Sequence, residues 1–136
     1  MKLQSAFEFM MIFAILLLAL VLILGSVNES VRGMRYSKIE IESLAFIENA
    51  RSKINTVYLE GDGFSLNLTL PENLTVKISD RPELFYYTFI IDGNSIILDV
   101  YGFNNYVKTL LTEDVNGSLR IGTNSIRNVG GTVVIS

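Results

Sequence analysis

The chain has no cysteine and no histidine among its 136 residues. Without thiols there is no disulfide scaffold and no thiolate nucleophile. Without imidazole the usual zinc sites and the commonest general base are missing. Positive charge is also in short supply: 11 Lys and Arg stand against 14 Asp and Glu, a formal net charge of −3 at pH 7. Such a chain has no electropositive field to draw in a phosphate backbone, so nucleic acid is not expected as a partner. Arg32, Arg35 and Lys38 do form a short basic group, but Glu40, Glu42 and Glu48 come directly after it.

A further absence is local. From Phe9 to Leu24 there are sixteen residues with neither a charge nor an amide, and the stretch Ala6 to Val27 holds twenty-two with Glu8 as its one charge. Twelve of the sixteen are Leu, Ile, Val or Phe. Each favours the bilayer centre by roughly 0.3–0.6 kcal/mol, against roughly 3 kcal/mol for a carboxylate placed there and less for one near an end. Insertion is therefore expected despite Glu8. Hydropathy alone leaves two ordinary fates open: an uncut single-pass anchor, or a secretory signal cut before Ser26, with Ile23 and Gly25 as the small-residue positions. An acidic residue beside the apolar run is unusual for such a signal.

The run opens Met1-Lys2-Leu3-Gln4-Ser5-Ala6-Phe7-Glu8-Phe9. This resembles the class III signal peptide of archaeal type IV pilin-like proteins, in which a short basic leader is removed just before a Gln and a Glu stands at the fifth mature position. Gln4 and Glu8 have that spacing. Lys2-Leu3 stands where the family usually has Lys or Arg followed by Gly, and Ala6 stands where it usually has Ser. The resemblance implies a prepilin-type signal peptidase cutting between Leu3 and Gln4, with the apolar helix kept in the product. It implies a membrane-inserted precursor that assembly machinery draws into a filament at the cell surface, where the chain's partner is itself. Cleavage would place a new α-amine one helical turn from Glu8. The Gln4 amine of one subunit could then neutralise the Glu8 carboxylate of its neighbour and set axial register. The plainer alternative is a solvated Glu8 reaching the interface.

Beyond Gly25 no strong helix stop appears before about Tyr58 to Gly61, although Gly25 and Gly33 weaken the segment. Ile39 or Glu40, Leu44, Ile47, Arg51, Ile54 and Tyr58 keep helical spacing, with Ala50 and Val57 beside them, so one helix is expected from about Ser5 to Val57. Lys38 with Glu42, and Glu48 with Arg51, have the spacing of side-chain pairs on its wetter side.

After Glu60-Gly61-Asp62-Gly63 the period becomes two. Phe64 to Leu70, Thr75 to Ser79, Leu84 to Ile91, Ser95 to Tyr101, Tyr106 to Leu111, Ser118 to Ile121 and Thr132 to Ile135 read as strands of an antiparallel meander or small sandwich. Asp92-Gly93-Asn94 reads as a hairpin turn. The tail from Ile126 to Ile135 also looks like the closing strand of archaeal pilins of this class.

Other candidate groups have plain explanations beside the functional ones. Asp92, Asn94, Glu113, Asp114 or Asn116 offer oxygens for calcium, but such residues are commoner in turns than as metal ligands. Asp62 and Asp80 as catalytic carboxylates would need a cleft and a raised pKa. Phe85, Tyr86, Tyr87, Phe89, Tyr101, Phe103 and Tyr106 could stack sugars or bases, but cross-strand pairing and packing on the helix explain them. Four N-glycosylation triplets begin at Asn28, Asn67, Asn73 and Asn116.

The expected protein is thus α+β, with a leader at 1–3, an apolar helix at 4–27, its amphipathic continuation at 28–60 and a β head at 61–136. No catalytic residue, cofactor or resident metal is assigned. The expected role is a structural filament subunit for adhesion or surface attachment. The alternatives are a non-polymerising single-pass membrane protein whose extracytoplasmic β domain binds a surface-layer or sugar partner, and a small exported enzyme.

Overall fold

A computed structural model describes residues 2–78 and 81–136, with the side chains of residues 2–5 outside the description. The architecture is α+β: one helix, then short strands that are almost all antiparallel. The chain divides into two units, 1–37 and 38–136.

The helix α1 runs from Lys2 to Glu60, three residues further at each end than periodicity suggests. No proline precedes Pro71, so nothing removes a backbone donor from it. Gly25 and Gly33 do not interrupt the helical hydrogen bonding. The hydroxyls of Ser26 and Ser30 donate to the carbonyls of Ile23 and Ser26, both at 3.0 Å. These two hydroxyls are satisfied by the helix's own backbone.

In the second unit α1 buries Ile39, Ser43, Ile47, Ala50, Ile54 and Val57. Their intervals of four, four, three, four and three residues define one face. The stripe read from sequence was centred one residue later: Leu44 is exposed and Tyr58 only half-buried, while the small Ser43 lies in the core. A serine there leaves room for close packing, which a hydrophobicity pattern cannot register. Glu48 and Arg51 pair as expected, the guanidinium Nη1 lying 2.8 and 3.0 Å from the two carboxylate oxygens. Lys38 instead donates to the Lys77 carbonyl at 3.3 Å.

Among the described residues the strands are β1 (Ser65–Leu70), β2 (Leu74–Ile78), β3 (Arg81–Phe85), β4 (Tyr87–Asp92), β5 (Ser95–Val100), β6 (Asn105–Thr109), β7 (Val115–Asn116), β8 (Gly122–Val129) and β9 (Thr132–Ile135). They form three sheets, in the orders β1-β8-β9-β7, β2-β3 and β4-β5-β6. β7 and β9 pair in parallel and every other pair is antiparallel. Alternation delivers the core: Leu68 and Leu70, Tyr87 and Phe89, and Ile96, Leu98 and Val100 point inward with α1's buried face. Phe46 joins helix to sheet, its ring meeting Tyr87 edge-on at 4.9 Å and Phe89 at 5.4 Å.

Three sequence expectations are corrected. The run Leu84 to Ile91 is two strands in different sheets, broken at Tyr86. Ser118 to Ile121 is not a strand but a loop, gathered by the buried Asn124, whose Oδ1 accepts from Arg120 N at 2.8 Å and whose Nδ2 donates to Arg120 O at 2.7 Å. The tail is no single closing strand: β8 and β9 make a hairpin, with Gly130 and Gly131 at φ +60° and +93° supplying the left-handed turn.

Candidate functional site

The feature with most functional content is the first half of α1. From Phe7 to Leu24 its large apolar side chains are 47–73% exposed, so within the first unit none of the described residues covers them. Twenty-two residues at a rise of 1.5 Å give a rod of about 33 Å. The hydrocarbon core of a bilayer is about 30 Å thick. The helix is long and apolar enough to cross a membrane, and none of its most apolar window is buried. All its backbone bonds are internal, which a spanning segment requires.

Glu8 sits exposed near the start of that rod, the one charged residue between Ala6 and Val27. Phe9 and Phe13 stack one turn apart with ring centroids 6.4 Å apart. Leu3 and Gln4, the residues of the expected cleavage, have side chains outside the described set, so the geometry of an amine-to-carboxylate pairing lies outside it too.

The other sequence candidates are dispersed. Asp62 is a structural tie: its Oδ1 accepts from Gly130 N at 2.7 Å, fastening the loop after α1 to the β8–β9 turn. Asp80 lies outside the described residues. Of the calcium candidates, Asn94, Glu113 and Asp114 line one shallow depression with Tyr58, Leu110, Leu111 and Thr112, while Asp92 and Asn116 do not line it. Among the described residues no three acidic side chains gather as a metal site would require.

Most of the aromatic cluster is packing. Phe85 meets Phe103 edge-on at 5.2 Å, and Tyr87 meets Phe89 edge-on at 5.8 Å. Tyr87 is buried and its hydroxyl donates to the Pro71 carbonyl; that burial pushes its pKa up to about 12. Tyr86 and Tyr101 differ. Tyr101 N donates to Tyr86 O at 3.0 Å, which sets the two opposite each other at the end of β4 and β5, and they are 69% and 66% exposed.

The four glycosylation triplets fall in different settings. Asn28 is exposed on α1, Asn67 is exposed on β1, Asn73 is half-buried before β2, and Asn116 is exposed on β7.

Residues that sequence reading passed over organise the second unit. The Asn55 Oδ1 accepts from Leu111 N at 3.0 Å, joining α1 to the segment after β6. The Asn128 Nδ2 donates to the carbonyls of Val57 at 3.2 Å and Tyr58 at 3.3 Å, and its Oδ1 accepts from Gly131 N at 2.9 Å. A strand side chain thus satisfies carbonyls in the last turn of a helix some seventy residues earlier in the chain. No local signal marked these asparagines: the strand Gly122–Val129 carries only Ile126 and Val129 as large apolar residues.

Comparison with protein-family models, with curated proteins and with solved structures finds no match.

Proposed function

We propose that the chain is a structural subunit of an archaeal type IV pilus-like surface filament, serving adhesion or surface attachment. The observation that carries this reading is an uncovered apolar rod with a single carboxylate in its first turn. A helix apolar on every side must be covered on every side. Lipid covers it in the precursor, and sister helices cover it after assembly. The Gln4-Glu8 spacing supports cleavage after Leu3 by a prepilin-type peptidase, which leaves the rod in the product. In the assembled interior Glu8 meets a neighbour's amine, because an unpartnered carboxylate among apolar helices is costly. The head then forms the outer surface, where the exposed Asn67 and Asn116 are available for N-glycosylation. No catalytic step is assigned to it.

N-terminal sequencing of the mature protein is the primary test: Gln4 supports this route, Ser26 a discarded secretory signal, and Met1 an uncut anchor. Glu8→Ala should still insert but assemble poorly, and normal filaments from that variant would remove Glu8 from the mechanism. The exposed Tyr86 and Tyr101 favour a second reading, a non-polymerising membrane protein whose head stacks a sugar on these rings. Shearing cells would then release none of the protein.

A further inference from the structure

The edges of the three sheets are not guarded alike. An edge leaves backbone N–H and C=O groups free to pair with another chain, and proteins blunt it with charge, proline, shortness or a covering side chain. Among the described residues every edge strand but one has such a device. On β1 the Asn67 carbonyl accepts from Lys53 Nζ at 2.8 Å, and on β2 the Lys77 carbonyl accepts from Lys38 Nζ at 3.3 Å. β3 carries Arg81, Pro82 and Glu83, and β7 is two residues long. On β6 the Thr109 carbonyl accepts from Arg51 Nε at 2.9 Å, and Lys108 lies 3.8 Å from Glu48. The edge strand β4 has neither charge nor proline from Tyr87 to Ile91.

The open groups of β4 follow from its register. Tyr101 N donates to Tyr86 O at 3.0 Å, and the antiparallel ladder sets Thr88 opposite Asp99 and Ile90 opposite Ile97. Hydrogen-bonded pairs alternate along such a ladder, so Thr88 and Ile90 bond to β5 while the N–H and C=O of Tyr87, Phe89 and Ile91 point to the open edge. Beside that edge lies a depression of about 200 Å³. Tyr87, Thr88 and Phe89 all line it, and because successive side chains alternate between faces, only the edge of the strand presents all three. Leu70 and the loop Leu119 to Ile121 line its other side. A drug-sized ligand needs roughly 300–1,000 Å³, so the space suits one apolar side chain. Arg120 is exposed there, and among the described residues its guanidinium has no ion-pair partner. Its backbone N and O are both held by Asn124, so this wall is fixed and the free backbone groups are those of β4.

We propose that the open edge of β4, from Tyr87 to Ile91, docks an extended peptide segment of another protein, one that carries an apolar residue for the depression and a carboxylate for Arg120. An extended backbone supplies donors and acceptors at the two-residue spacing that Tyr87, Phe89 and Ile91 present. Main-chain bonds then give the affinity, and the depression with its arginine gives the choice of side chains. The site lies wholly in the second unit and does not depend on whether the chain polymerises.

The test is amide hydrogen exchange of the full chain in detergent, read residue by residue by NMR. The probes are three acetylated octapeptides of alternating valine and threonine: one with a central aspartate, one with lysine in its place, and the aspartate peptide N-methylated throughout, which removes every backbone donor. Without peptide, the amides of Tyr87, Phe89 and Ile91 should exchange faster than those of Thr88 and Ile90. The aspartate peptide should slow exchange at Tyr87 and Phe89 by about tenfold. The lysine peptide should need a several-fold higher concentration, and the N-methylated one should have no effect. Arg120→Glu, at an exposed side chain, should reverse the preference between aspartate and lysine. Protection that is equal for the aspartate and lysine peptides, or that survives N-methylation, overturns the proposal, as does no protection at about 1 mM peptide. Protection without peptide that grows with protein concentration shows a second copy seated on the edge and overturns it too.

Discussion

Removing the Asn128 side chain should cost the second unit much of its stability. Three hydrogen bonds end on it, to Val57 O, Tyr58 O and Gly131 N, and the residue is 1% exposed. A buried hydrogen bond contributes about 1 kcal/mol net, and leaving its partner unsatisfied raises the loss to about 1–3 kcal/mol. Val57 is itself fully buried, so its carbonyl finds no water. Asn128→Ala should therefore lose about 2–4 kcal/mol. For a domain of about 100 residues each kcal/mol shifts the Tm by about 4–8 °C, so a fall of roughly 8–30 °C is expected. Asn128→Asp separates geometry from chemistry. It keeps the oxygen that Gly131 N uses but turns a donor into a second acceptor facing two carbonyls. It should be worse than Ala at pH 7 and recover as the pH falls, because a protonated carboxyl can donate again. Thermal unfolding in detergent, monitored by near-ultraviolet circular dichroism at pH 7 and pH 4, measures both. A cost below about 0.5 kcal/mol for Ala, or an Asp variant no worse than Ala at pH 7, would refute the capping role.

Three single sites carry further expectations. Ser43 is fully buried and its hydroxyl has no hydrogen-bond partner, so Ser43→Ala should stabilise by about 1 kcal/mol, read as a raised midpoint in urea. The Tyr87 hydroxyl titrates at about 12 in the fold against 10.0 ordinarily, so the folded state holds this proton more tightly than the unfolded chain does. Its contribution is complete below about pH 10 and disappears as the pH climbs toward 12. Tyr87→Phe should flatten that alkaline loss in a pH series of melts. Gly117 has φ +111°, and a Cβ there would strike the Ile135 carbonyl oxygen. Gly117→Ala should cost more than about 2 kcal/mol by strain and by parting β7 from β9, whereas Gly93→Ala, in open space, should cost less; urea melts of the two variants check the order.

The long helix and the change to strands at about residue 61 were legible in the chain, because period and breakers are local properties. The exposed rod was legible for the same reason: composition alone sets whether a segment seeks lipid. Which residue of α1 enters the core was not, since Ser43 is buried for its size and Leu44 lies at the rim. Leu84 to Ile91 looked continuous because Tyr86 has strand propensity, and only pairing with different partners divides it. The loop at Ser118 to Ile121 is held by Asn124, and the helix end by Asn128, each from outside the segment it holds. Sequence by itself decided that this protein has one part made for an apolar solvent and one for water, a matter of which side chains are present. Tertiary structure alone decided where the backbone's leftover donors and acceptors are met, because those bonds join residues up to about seventy positions apart and leave no local period to read.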